Sequence, residues 1–195
     1  PPPPPTPPRA SRRQRQMCIR DSTWELVETD RGMACVHPAR ANAVVREAFE
    51  AGLIPRFESL PELRSEVKYG QGSRADLLLQ GQDGRAFIEV KSVTLCREGG
   101  QGLFPDAVSV RGRKHIEELR AIRDAATRAV LFFCVFHSGV EVVSAAGAID
   151  PLYRDALATA MEAGLEVLAW GTDISPSGLV LDRPLPFTLD PESAA

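Results

Sequence analysis

The chain has 195 residues, of which 44% are hydrophobic and 25% charged, and a formal net charge of -3. This length and apolar content can bury a sizeable core in one domain, and the acidic balance excludes binding of nucleic acid through bulk positive charge. No apolar run approaches the roughly 18 residues of a membrane span, and the opening lacks a signal-peptide pattern, so the expectation is a cytoplasmic protein with no membrane partner.

In chain order, the first 22 residues, "PPPPPTPPRASRRQRQMCIRDS", are a polyproline tract followed by an arginine-rich stretch without hydrophobic periodicity. They are expected to be a disordered tail, foreign to the domain or an arm for phosphates. The tail holds five of the 23 basic and one of the 26 acidic residues, which leaves 18 against 25, a balance of -7, for the rest. Any contact with DNA must therefore use a local basic face against the repulsion of the remaining surface. Cys18, Cys35, Cys96 and Cys134 lack paired metal-ligand spacing and are expected to be reduced, with Cys134 filling the core.

"TWELVETDRGMACVH" alternates like a short hairpin turning at Asp30 to Gly32. "ARANAVVREAFEAGLIP" spaces Val44, Val45, Ala48 and Phe49 on one helical face, with Asn42 as a candidate cap and Gly52 and Pro55 as a stop. "RSEVKY", "RADLLL" and "AFIEVKSVTL" follow as strands joined by short turns, which predicts an antiparallel meander. "SVRGRKHIEELRAIRDAATR" puts Ile116, Leu119 and Ile122 at helical spacing, and "AVLFFCVF" is a strand apolar on both faces. A helix starts at Asp150-Pro151, and "LEVLAW" is a further strand. Helices crossing between strands buried on both sides imply parallel pairing. The expected fold class is α/β, a mixed sheet with helices on its faces.

Within this frame, Asp76, Glu89 and Lys91 stand where apolar residues belong. Side chains two apart on a strand share a face, so Phe87, Glu89, Lys91 and Val93 point one way. The turn after "RADLLL" is short enough to pair its strand directly with the next, which brings Asp76 toward Glu89. Two close carboxylates call for a cation, and oxygen ligands suit a hard ion, Mg2+ or Mn2+. Such an ion activates water, and a neighbouring lysine stabilises the anion that develops on an attacked phosphate. On a solvated face the same residues are exposed charges worth little.

The segments "SEVKYGQGSRADLLL", "FIEVKSVTL", "LFPDAVSVRGRKHIEEL", "RAVLFFCVF" and "IDPLYRDALATAMEAGLEVLAW" closely resemble the sugar fermentation stimulation protein A family of bacteria and archaea. The resemblance runs from about Thr23 to Leu189. It implies a PD-(D/E)xK restriction-endonuclease-like core with helices on both faces, preceded by a β-barrel of the OB type. Here that barrel is expected to be largely missing, with 23–38 as its remnant, 39–190 as the nuclease-like domain and 191–195 as a tail. The family is described as DNA-binding, with a proposed regulatory role in sugar utilisation genes. Its signature falls on Asp76, Glu89 and Lys91, with Glu66, and more weakly Glu47, as an additional acid. Arg74 in the "SR-x-D" run either holds a phosphate or forms a structural salt bridge. This chain departs from the family with Ala75 and Leu77 around the first acid and Ser92 after the lysine.

"RGRKH" is the densest basic cluster after the tail, so Arg111, Arg113 and Lys114 at a helix amino terminus are candidate contacts to double-stranded DNA; equally they are a solvated face balanced by Glu117 and Glu118. His115 is expected at the surface or as a cap. In "LFPDAV", Asp106 is either a cap or part of a substrate-facing loop. Two functions follow, a DNA-binding module on a nuclease-like scaffold and an active metal-dependent endonuclease. The oligomeric state is left open, a homodimer included.

Overall fold

The computed structural model describes residues 24–70 and 72–190. The 1–22 tail, Thr23 and the 191–195 tail lie outside the described residues. The core is a six-stranded sheet. Strands β3 (Glu62–Tyr69), β4 (Ser73–Gly81) and β5 (Gly84–Val93) form the antiparallel meander that the short turns predict. Strand β8 (Thr127–Val135) runs parallel to β5 and to β10 (Glu166–Ser175), and β11 (Gly178–Leu185) closes the edge antiparallel to β10.

Strand β8 shows why the sheet lies at the centre. Ala129, Leu131, Phe133 and Val135 face one apolar cluster, and Val130, Phe132 and Cys134 face another. All seven have no exposed surface, so period-2 alternation is invisible in a strand buried on both sides. Helix α1 (Arg40–Glu50) covers the Phe132 side with Ala41, Val44, Val45 and Ala48. Helices α2 (Val110–Ala121) and α3 (Pro151–Glu162) cover the Phe133 side with Ile116, Leu119, Tyr153 and Leu157. Cys134 is the expected core filler, and burial pushes its thiol up to about 12.

The starts of α2 and α3 are pinned together. Ser109 caps α2 by accepting from the Gly112 N–H at 3.0 Å, and Asp150 caps α3 by accepting from the Tyr153 N–H at 2.9 Å. The other Asp150 oxygen accepts from the Ser109 N–H at 2.8 Å, so one carboxylate holds both helix starts. A Cβ at Gly112 would stand 3.1 Å from the Tyr153 ring, so the missing side chain sets how closely the helices approach.

The hairpin β1 (Leu26–Thr29) and β2 (Gly32–Cys35) turns where the alternation predicts, and docks on the end of β8 through Cys35 N–H to Phe136 O at 3.0 Å. Three expectations need correction. Asn42 does not cap α1, whose first turn has no side-chain cap; its amide is used elsewhere. Asp106 is exposed, and the cap is Ser109. A four-stranded sheet stands beside the single expected one: β6 (Leu95–Arg97), β7 (Gln101–Phe104), β9 (Val142–Ala145) and β12 (Phe187–Thr188), in the order β12-β9-β7-β6. Among the described residues no helix is long and apolar enough to cross a membrane.

Candidate functional site

Asp76 and Glu89 meet where β4 and β5 part. The ladder runs from Gly81↔Gly84 to Leu77↔Ile88 and stops one residue short of Asp76. Past that point the Asp76 carboxylate enters the gap, and its Oδ2 accepts the Val90 N–H at 2.7 Å. Its Oδ1 accepts from the Asn42 amide at 2.8 Å, which ties α1 to the site.

Glu89 lies on the same face of β5 as Phe87, toward α2 and α3, and is 3% exposed. Its Oε1 accepts from Lys91 Nζ at 2.6 Å and is hydrogen-bonded to His115 Nδ1 of α2. Its Oε2 is buried and accepts no hydrogen bond among the described residues. A buried carboxylate oxygen without a donor is costly, and a core position that serves stability alone has no use for one.

Burial, and then the Glu89 charge, hold the Asp76 carboxyl above the ordinary aspartate range, against the Val90 N–H, Asn42 and Lys91. Tyr69 adds a buried hydroxyl without a partner among the described residues. Burial first, then Glu89, Glu118 and Asp76, push its pKa up, so three carboxylates act on one ring. Glu118 on α2 is hydrogen-bonded to Ser73 Oγ and lies 3.6 Å from Lys114.

The raised Asp76 pKa gives a signed prediction. Its folded state holds the proton more tightly than the unfolded chain does. The cost of ionised Asp76 is therefore absent below the ordinary value of about 3.9, grows as pH rises to the raised folded value and is full above it. Asp76→Asn removes that cost, and a flipped Asn42 amide can still meet the new side chain. At pH 7 the variant should be more stable by about 1 kcal/mol, a melting shift of about 2–4 °C that shrinks as pH falls. Melting curves from pH 3 to 8 check this, and a variant that melts lower than wild type at pH 7 contradicts it.

The structure brings Asp76, Glu89 and Lys91 together and leaves other candidates apart. Glu66 occupies the register position facing Asp76 on β3, but its φ of 55° breaks the regular strand there. It is exposed, and no contact among the described residues joins it to either acid. Glu47 is exposed on α1, beside an apolar groove with Leu179 and Leu181. Arg74 is exposed opposite Lys68 and forms no salt bridge among the described residues.

Arg111 and Lys114 are exposed on α2 as a phosphate contact requires. Arg113 is half-buried with an enclosed Nε, and its charge helps hold the Asp150 carboxyl low, so it faces the α3 start rather than solvent. His115 corrects the surface expectation, since its side chain is 14% exposed and rests on Glu89. The signal was its spacing: His115 stands three residues after Gly112 and four before Leu119, both buried. Among the described residues no three His, Cys, Asp or Glu side chains converge as a ready metal cluster.

Residues 39–178 match the family described as "Sugar fermentation stimulation protein RE domain". A sugar fermentation stimulation protein homolog of Hahella chejuensis is 49% identical over 170 residues, covering 85% of this chain and 70% of the relative. A homolog of the same description in Pseudomonas paraeruginosa is 51% identical over 170 residues, covering 86% and 72%. The solved structure of Pyrococcus furiosus SfsA in complex with Ca2+ superposes with a TM-score of 0.73 at 30% identity, covering 85% of this chain and 71% of that one.

Proposed function

Because the chain belongs to the sugar fermentation stimulation protein family, with a restriction-endonuclease-like domain, we propose that it binds duplex DNA and hydrolyses phosphodiesters with a divalent metal. The carrying observation is the buried Glu89 Oε2, left without a donor among the described residues while Lys91 and His115 both serve Oε1. That oxygen fits a hard cation. Asp76 and Glu89 would hold Mg2+ or Mn2+, which keeps several waters and takes one or two protein carboxylates. The Ca2+ in the Pyrococcus relative supports a divalent ion. When bound, the ion supplies an activated water and neutralises charge on the phosphate.

The remaining chemistry belongs to the chain. Lys91, 17% exposed on its side chain, keeps an ammonium beside the acids and stabilises the developing anion. Arg111 and Lys114, at the start of α2, contact phosphates and offset the acidic surface. Neutralising both should make the slope of log affinity against log salt shallower by about 2. Lys91→Ala should lower cleavage about 10²- to 10³-fold. Plasmid incubated with and without Mg2+ or Mn2+, beside gel shifts in chelator and calorimetry, checks these outcomes. Cleavage by Lys91→Ala equal to wild type removes the lysine from the mechanism.

A second reading is a DNA-binding regulator of sugar utilisation genes that does not cleave. It is favoured by the closed Lys91–Glu89 pair and by the lack of a third converging acid among the described residues. Intact plasmid with a retained gel shift would select it.

A further inference from the structure

His115 joins two parts of this site that the sequence presents separately. Its Nδ1 meets Glu89 Oε1, and its Nε2 lies 3.4 Å from the Nε of Arg111, one helical turn earlier. A guanidinium Nε–H can only donate, so Nε2 must be the acceptor and carry the ring's lone pair. The single ring proton is then on Nδ1, where the Glu89 carboxylate accepts it. Each nitrogen thus has a fixed role.

Two consequences follow. Glu89 Oε1 accepts from both Lys91 and His115, from a strand neighbour and from a helix, which fixes the carboxylate plane and leaves Oε2 without a donor among the described residues. Arg111, held at Nε, presents terminal nitrogens that have no hydrogen bond among the described residues and suit the paired oxygens of a phosphate. The Ser109 and Asp150 caps fix the α2 start from which both residues project.

Resting on the reading of Asp76 and Glu89 as metal ligands, we infer that His115 is a positioning residue: its Nδ1 holds Glu89 in orientation for a divalent cation, and its Nε2 holds Arg111 in orientation for a DNA phosphate. It touches neither the ion nor the phosphate itself. Outer hydrogen bonds of this kind tune ligand orientation and basicity, and their loss lowers metal affinity about 10- to 100-fold.

Two substitutions separate its two nitrogens. In His115→Asn the amide nitrogen falls near the place of Nδ1, so donation to Glu89 survives and the contact with Arg111 is lost. In His115→Gln the amide reaches the place of Nε2, where its oxygen accepts from Arg111, and donation to Glu89 is lost. Calorimetry with Mn2+ on the full chain should find Asn close to wild type and Gln weaker by about 10- to 100-fold. Fluorescence anisotropy with duplex DNA in chelator should find the reverse, with Gln close to wild type and Asn weaker by about three- to tenfold. A merely structural histidine would move both readouts together, in step with melting temperature.

Nitrogen-15 NMR of the metal-free protein gives an independent readout, with the ring proton expected on Nδ1 of His115 and Nε2 accepting. An Nε2–H tautomer overturns the inference, as does equal behaviour of the Asn and Gln variants. If wild type takes up Mn2+ and duplex normally while the variants match it, this inference alone fails. Wild-type protein that takes up no Mn2+ overturns the site reading, and this inference with it.

Discussion

Glu89→Gln is expected to lower affinity for Mg2+ or Mn2+ about 10- to 100-fold and to remove cleavage, while leaving the melting temperature close to wild type. The argument turns on the two oxygens. Lys91 and His115 both donate to Oε1, so the amide oxygen of the variant must take that place to avoid opposing two donors. Its NH2 group is thereby forced into the buried position of Oε2, pointing positive hydrogens at the site. The fold keeps its hydrogen bonds and the cation loses its ligand. Calorimetry and a melting curve on one sample test both halves, and unchanged metal affinity would place the ion away from Glu89.

Phe133→Ala should produce the largest loss of stability, about 3–5 kcal/mol. The ring is fully buried in β8, stacked on Phe187 at 5.4 Å and tilted against Phe104 at 5.5 Å. Both partners come from or adjoin the small four-stranded sheet, so the cavity opens at the seam between the two sheets. For a domain of this size, that loss corresponds to a melting temperature lower by about 6–20 °C. Denaturant unfolding should show a lower midpoint with an unchanged slope. A midpoint within error of wild type would mean that the seam collapses around the missing ring.

The meander, the three helices and the parallel centre were legible because each rests on local periodicity or on short turns. The four-stranded sheet was not. Its strands are two to four residues long, and β7, β9 and β12 pair in parallel across distant parts of the chain. Too few residues alternate in such strands to show a period. In the site, Asp76, Glu89 and Lys91 were legible because charge stood in apolar runs. Asn42 and His115 were not, since each is polar in an amphipathic helix and its role depends on how that helix lies against the sheet. Spacing alone does not separate Arg113 from Arg111 as a phosphate contact or a solvated charge; the packing of α2 on α3 does.

The early end of the β4–β5 ladder makes the Gln82–Asp83 turn a ruler for the whole site. Residue count from that turn decides which amide greets the first acid and on which side of the sheet the second acid emerges. One residue added there slides the strands by a step and exchanges their inner and outer faces. The acids would then part company although neither had been altered. Length at this remote bend is thus as much a part of the site as the side chains themselves.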